Sequence, residues 1–229
     1  MTQQEALKIL KTGANVFLTG EPGSGKSYTV NAFVSYLRDH DIEPAITAST
    51  GIAATHIGGQ TIHSWSGIGI KKDLNEYELD AIASKEYVSK KIDRAKVLII
   101  DEISMLDAAT LDAADQVCRL VKRNSKPFGG LQVILVGDFF QLPPISGGSR
   151  EGATSRFAFE SQSWNDLNPI VCYLSEQHRQ DDDDFLSLLT AIRKNKVQDE
   201  HMRLVASRID IHEDIEDEIP KLFFTQYRC

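Results

Sequence analysis

Short apolar runs recur along the chain, and each one ends in small or polar residues. Asn15-Val16-Phe17-Leu18-Thr19 leads into Gly20, and Pro44-Ala45-Ile46-Thr47-Ala48 leads into Ser49-Thr50. Val97-Leu98-Ile99-Ile100 leads into Asp101-Glu102, and Leu131-Gln132-Val133-Ile134-Leu135-Val136 leads into Gly137-Asp138. Ile170 to Leu174 is a fifth such run, followed by Arg179. Runs of this length without alternation predict strands buried on both faces. Helical spacing lies between them. Residues 3–12 place Ala6, Leu7 and Leu10 on one face and stop at Gly13; Ser27 to Arg38 repeats Val30, Phe33, Val34 and Leu37. Further helices are predicted over Ala108–Lys122, Phe185–Arg193 and 198–207, with short helices and loops in the polar, Lys-rich stretch 66–95. Alternating strands and helices predict an α/β fold, a mostly parallel sheet with helices on both faces. Ligands of such sheets bind beyond the carboxyl ends of the strands. Thr19-Gly20, Ser49-Thr50, Asp101-Glu102, Gly137-Asp138 and Arg179 all follow a strand, and that convergence predicts one functional edge.

The first of these ends carries the most specific pattern. Gly20-Glu21-Pro22-Gly23-Ser24-Gly25-Lys26-Ser27 fits G-x-x-x-x-G-K-[ST], between a strand and a helix. Gly23 and Gly25 let the backbone bend and bring N–H groups to phosphate oxygens. The helix start adds partial positive charge. Lys26 is placed to reach the β- and γ-phosphates of ATP and Ser27 to bind magnesium, and Tyr28 completes the predicted nucleotide-binding set. Asp101 suits the second magnesium contact, and Glu102 suits a base that deprotonates the attacking water. The plainer alternative for the pair is a cap on the next helix. Gln141 can donate and accept at once, which suits contact with a γ-phosphate and its water. Of Phe139 and Phe140, at least one is expected to pack the loop, leaving one for stacking on a base. Arg179 is a candidate arginine finger, although a lone Arg after a strand is more often surface. His63 is either a nucleic-acid contact or a packed histidine.

Composition narrows the picture little. A 41% apolar content supports a real core. No apolar run long enough for a membrane span occurs, and the N-terminus lacks a signal pattern. Cys118, Cys172 and Cys229 are far apart and odd in number, which predicts reduced thiols and a cytoplasmic setting. No Cys or His cluster has metal-ligand spacing. Net charge is −8, which argues against a nucleic-acid partner, but residues 181–229 alone hold 12 acidic and 7 basic groups. The acid is concentrated in Asp181–Asp184 and Asp210–Glu218, so a basic groove elsewhere stays open.

Taken together, the motifs resemble the petite-integration-frequency (PIF) DNA helicases of superfamily one, with RecD-like and Dda helicases as relatives. Four stretches carry the resemblance: the phosphate loop; Thr47 to Ala54 with Thr61-Ile62-His63-Ser64; Ile100-Asp101-Glu102-Ile103-Ser104-Met105; and Lys126-Pro127-Phe128-Gly129-Gly130-Leu131-Gln132 running on to Gly137-Asp138-Phe139-Phe140-Gln141-Leu142-Pro143-Pro144. The resemblance implies a RecA-like phosphate-loop NTPase domain that hydrolyses ATP and moves 5′ to 3′ on single-stranded DNA, unwinding forked duplex in repair, recombination or telomere maintenance. It implies that Gln3 reads the adenine, that Gln141 couples the γ-phosphate to DNA, and that Arg179 is the finger. Thr50, Gly51, Thr61, His63 and Ser64 would lie along the DNA. It also implies a monomeric, nucleoid-associated protein of bacterial type. Pro22-Gly23-Ser24-Gly25-Lys26 departs from the family's common A-G-T-G-K, and His178 stands where an aromatic is commoner. On the same basis residues 1–218 read as the first motor domain and residues 219–229 as the start of a second, cut short, so that a fragment of this extent turns over little ATP alone. An ATP switch acting on proteins, or a non-catalytic binding module, shares the loop and Asp101-Glu102 but leaves Ser49-Thr50-Gly51 and Gln141-Leu142-Pro143-Pro144 without a purpose.

Overall fold

The computed structural model of the chain describes residues 1–71, 74–144, 156–175 and 183–207. Two compact units divide it, Met1–Arg179 and Gln180–Cys229. The expected Arg179 finger and the expected second-domain start at 219–229 lie outside the described residues.

The first unit begins with α1 (Gln3–Leu10), β1 (Val16–Gly20), α2 (Lys26–Arg38), β2 (Ala45–Ala48) and α3 (Gly51–His56). β3 (Gln60–Thr61), α4 (Ile62–Ser66), α5 (Glu76–Ala83), α6 (Glu86–Arg94) and β4 (Val97–Asp101) follow. It continues with α7 (Ala108–Lys122), β5 (Gln132–Val136), α8 (Gln162–Leu167) and β6 (Ile170–Leu174). The six strands form one sheet in the order β3-β2-β4-β5-β1-β6, every neighbouring pair parallel. The predicted α/β architecture is therefore what forms, with short elements, among them β3, α4 and α8, that the apolar pattern does not announce.

The strands' alternation sorts their side chains onto the two faces. Phe17, Leu98, Ile100, Val133 and Leu135 join the core under α4–α8, whereas Val16, Leu18, Val97, Ile99, Ile134 and Val136 join the core under α1 and α2. Period-two geometry requires this split, and two covered faces explain why these strands are apolar throughout. Burying each such side chain stabilises the fold by about 1.5–3 kcal/mol before the entropy of ordering is charged against it. β6 is the exception that marks the sheet's edge: Cys172 and Leu174 are buried while Ile170, Val171 and Tyr173 are exposed.

The Phe128-Gly129-Gly130 stretch is a structural device. Its three residues have φ of 49°, 64° and 83°. Such a turn requires glycine where a side chain would collide: a Cβ on Gly129 would lie 2.6 Å from the Lys122 side chain and 2.7 Å from the Cys118 carbonyl. Phe128 accepts the cost of its left-handed backbone because its ring is fully buried and its N–H donates to the Asp115 carboxylate. Asp115 also accepts from Arg119 Nε at 2.8 Å and Ser163 Oγ at 3.1 Å. One buried acid thus joins α7, the turn and α8.

In the second unit the described residues form α9 (Asp183–Arg193) and α10 (Asp199–Ala206), close to the two helices predicted there. Buried His201 joins them, with Nδ1 receiving the N–H of Gln198 at 3.0 Å and Nε2 lying 3.2 Å from Ser187 Oγ.

Candidate nucleotide site and nucleic-acid face

The loop after β1 is shaped by its glycines. Gly23 and Gly25 sit at φ of 82° and 84°, and Gly25 caps the start of α2. Ser24 N–H closes the turn on the Glu21 carbonyl at 3.1 Å. The Lys26 ammonium folds back over the loop, donating to the carbonyls of Gly20 at 2.9 Å and Glu21 at 3.2 Å. Both are acceptors that a phosphate oxygen can replace, so the cation is already at the loop's mouth.

α1 brings Gln3 to the same place. A capping box at its start, Glu5 N–H to Thr2 Oγ1 at 3.1 Å and Thr2 N–H to Glu5 Oε2 at 2.9 Å, sets the helix's direction. Gln3 Nε2 then donates to the Ser24 carbonyl at 3.3 Å. Gln3, Pro22, Gly23, Gly25, Lys26, Ser27 and Tyr28 line a cavity of about 550 Å³, closed on the far side by Glu102 and Gln141. Gln4 is exposed and is not part of this wall. Tyr28 projects its ring with 69% exposure. Gly20 and Ser24 are buried behind the loop.

The acids come from the end of β4. Glu102 has φ 53° and ψ 44°, a left-handed conformation that costs a non-glycine residue about 1 kcal/mol or more. That bend lets the Glu102 N–H donate to Asp101 Oδ1 at 2.9 Å. Asp101 faces a smaller cavity of about 270 Å³ together with Ser27, Glu102, Asn31 and His56. Ser27 and Glu102 line both spaces. Burial pushes both carboxyls above their ordinary range. For Asp101 the Glu102 N–H and the Lys26 charge pull the other way; for Glu102 the Asp101 and Asp138 charges add to burial and Lys26 opposes them. A hydroxyl and two carboxylates make an oxygen-only donor set, which suits a hard divalent cation that keeps most of its ligands from phosphate and water. Among the described residues no His, Cys, Asp and Glu cluster would hold a softer metal.

After β5 the loop divides its two phenylalanines. Phe139 packs against Phe17, Trp164, Phe157 and Phe159 with ring centroids 4.8–5.9 Å apart, whereas Phe140 is 72% exposed. Asp138, which the motif pattern left without a role, is 1% exposed and anchors the loop. It accepts the N–H of Phe140 and the side-chain amide of Gln141, each at 3.2 Å.

The residues expected along DNA gather on the neighbouring strand ends. Thr50 caps α3 through Ala53 N–H at 3.2 Å, and Thr61 caps α4 through Ser64 N–H at 3.1 Å. Gly51 and Ser64 are exposed, His63 is half-buried, and Ile52 is a large apolar side chain left 77% exposed beside Gly51. β2 and β3 are adjacent, so both caps open on one side of the sheet edge. The residues expected at a nucleotide and those expected along DNA are thus two groups on one edge of the sheet, with β4 next to β2 between them.

A family model described as PIF1-like helicase matches residues 3–203. The chain belongs to the PIF1-like helicase family. Among curated members, the ATP-dependent DNA helicase Pif1 of Psychrobacter sp. (strain PRwf-1) is 56% identical over 181 residues, covering 79% of this chain and 27% of that protein. The human ATP-dependent DNA helicase PIF1 is 37% identical over 226 residues, covering 93% of this chain and 34% of that protein. The crystal structure of Pif1 helicase from Candida albicans superposes with a TM-score of 0.80 at 36% identity, over 88% of this chain and 45% of that one. Bacteroides sp Pif1 in complex with ADP-AlF4 gives 0.74 at 30% identity, over 90% of this chain and 48% of that one. The chain spans about a third or less of the length of these curated relatives. Within the PIF1-like family, what this chain contains is the phosphate loop, the acid pair, the glutamine loop and two helix caps, all on one parallel sheet.

Proposed function

We propose that this chain is the ATP-binding motor domain of an ATP-dependent DNA helicase that moves 5′ to 3′ on single-stranded DNA and opens forked duplex. The carrying observation is that Lys26, Ser27, Glu102, Gln141 and Gln3, drawn from three strand ends and α1, face one cavity. ATP fills it with the adenine toward Gln3 and Tyr28 and the phosphates in the glycine turn. Ser27 and Asp101 would hold a magnesium ion, which would supply positive charge beside the phosphates. Lys26 leaves the loop carbonyls for the phosphates. Glu102 takes a proton from the attacking water, and its raised affinity for protons fits that task. Gln141 orients the same water. Its loop follows β5, which pairs with β4, and β4 pairs with β2 behind Thr50 and Gly51, so phosphate occupancy and DNA grip bear on one another. The relatives' extent supports a second motor domain facing the cavity, supplying charge from the other side. A bacterial cytosol, on the nucleoid and as a monomer, is the setting we assign; the Psychrobacter relative supports its bacterial part.

Single-strand-stimulated ATP hydrolysis, measured on protein that includes both motor domains, tests this. Lys26→Ala should abolish it, and Glu102→Gln should keep nucleotide binding while losing turnover. Hydrolysis indifferent to DNA, or retained in Lys26→Ala, would overturn the proposal.

A further inference from the structure

A cavity larger than the nucleotide site lies elsewhere on the first unit. It measures about 770 Å³ and lies at the opposite end of the strands, against Pro44 to Ile46 at the start of β2 and Lys96 before β4. Arg38, Lys90, Lys91, Arg94 and Lys96 line it, five of the chain's 25 basic residues in a protein of net charge −8. Its acids are Asp41 and Glu43. Glu43 is spent on Arg38, which grips it at 2.7 and 3.0 Å. Lys90 pairs outward with Glu86 at 2.5 Å. Arg94 and Lys96 make no ion pair with any described residue.

Lys91 is the informative member. It is half-buried, and its ammonium is held by neutral acceptors, the Ser64 carbonyl at 3.2 Å and Gln60 Oε1 at 3.4 Å. Burial pulls its affinity for protons down, with no carboxylate to restore it. An inward-facing cation without a counter-ion is costly unless an anion arrives. Compensation of the helix end accounts for Lys91 and Arg94 in the last turn of α6, but not for Arg38 or Lys96 on other elements. The residues Lys91 holds, Gln60 and Ser64, flank Thr61 and His63, so the basic cavity adjoins the segment assigned to DNA.

We propose that this cavity is a second nucleic-acid subsite, which takes the phosphodiester backbone of a strand that continues past Thr61–Ser64 down the β3 edge. The proposal rests on the DNA-motor reading above. A strand backbone fits better than one compact phosphate, because the cations come from α2, α6 and the start of β4 and no glycine-rich turn among the lining residues opens a helix there.

Two measurements test it. Anisotropy of a labelled single strand compares wild type with Arg94→Glu/Lys96→Glu, both exposed positions, using a short oligonucleotide of about 6 nucleotides and a long one of about 30. The long strand should lose at least about threefold in affinity, with a salt slope shallower by about 1–2, while the short one is unchanged. Lysine acetylation footprinting of the wild-type protein should show Lys91 and Lys96 protected by the long strand only. Equal loss for both lengths, no loss, or protection by inorganic tripolyphosphate but not by DNA would overturn the subsite. If wild type binds neither oligonucleotide, the DNA-motor reading itself fails; if wild type binds both and the variant matches it, only the subsite does.

Discussion

The side-chain amide of Gln141 is pinned to the carboxylate of Asp138 at 3.2 Å. A carboxylate at neutral pH only accepts, so the contact must be made by the NH₂ group, and this fixes which way the amide faces. The Gln141 oxygen is then left to accept, as a water held for attack requires. Asp138→Ala removes the pin and frees the amide to flip. The expected result is a kcat for ATP lowered by about 10–100-fold with KM little changed, because geometry in the transition state is lost and ground-state binding is not. Asp138→Asn, whose amide can present either group, should fall between. Steady-state ATPase of the two variants checks both values.

The strands were legible because β1, β4 and β5 are covered on both faces and so carry unbroken apolar runs; α7 was legible because its apolar spacing runs on from Ala108, although what stops it after Lys122 is the left-handed backbone of Arg123. β3 was not, since two residues carry no period and Gln60-Thr61 form a strand only because β2 offers an edge. α8 has too few apolar positions to show a stripe. In the site, the loop residues, Asp101 and Glu102 were legible because their chemistry follows a local pattern. Asp138 and Asp115 were not. A single Asp in sequence gives no sign that it will be buried, and what buries these two is chain far from them or folded back upon them.

Asp115 is the sharper case for stability. Its carboxylate is 3% exposed and holds Phe128 N–H, Arg119 and Ser163 together. Asp115→Ala strands the buried Phe128 N–H and removes one of two carboxylates from Arg119, which keeps Asp166 at 3.0 Å and the Ser125 carbonyl at 2.8 Å, and should cost about 2–3 kcal/mol. Ser163→Ala removes one donor and should cost about 1 kcal/mol. Chemical denaturation of the two variants gives the comparison, and near-equal values would deny Asp115 its hub role.

Gly129 and Gly13 separate strain from collision. Both have positive φ, 64° and 84°, but nothing lies within 4 Å of a Cβ on Gly13. Gly13→Ala should cost about 1 kcal/mol, the backbone term alone. Gly129→Ala meets Lys122 and the Cys118 carbonyl as well, and should cost about 2–4 kcal/mol or fail to fold. Thermal melts of the pair distinguish a tight turn from a merely left-handed one.

Cys118 and Cys172 are fully buried, and burial pushes both thiols up, away from the reactive thiolate. Neither should react with a thiol reagent in the folded protein, and both should label together once denaturant unfolds the unit. Site-resolved mass spectrometry reads this. Labelling of Cys172 ahead of Cys118 would mean that the β6 edge opens before the rest of the sheet does.

Gln3 and Gly25 occupy one space. A Cβ on Gly25 would lie 2.0 Å from Gln3 Nε2, and Gly25 has φ 84° besides. Gly25→Ala therefore faces two obstacles, one in its own backbone and one in α1. Gln3→Ala alone should weaken ATP binding several-fold and blunt its preference over GTP, since it removes an amide from the end of the cavity we assign to the adenine. Gly25→Ala alone should abolish nucleotide binding and lower stability. In the double variant the collision is gone, so stability should recover by about 1 kcal/mol relative to the sum of the singles. Nucleotide binding should not recover, because the left-handed turn that aims the loop's N–H groups at phosphate is still strained. Recovery of both together would mean that Gln3 alone, and not the backbone at Gly25, sets the shape of the phosphate cradle.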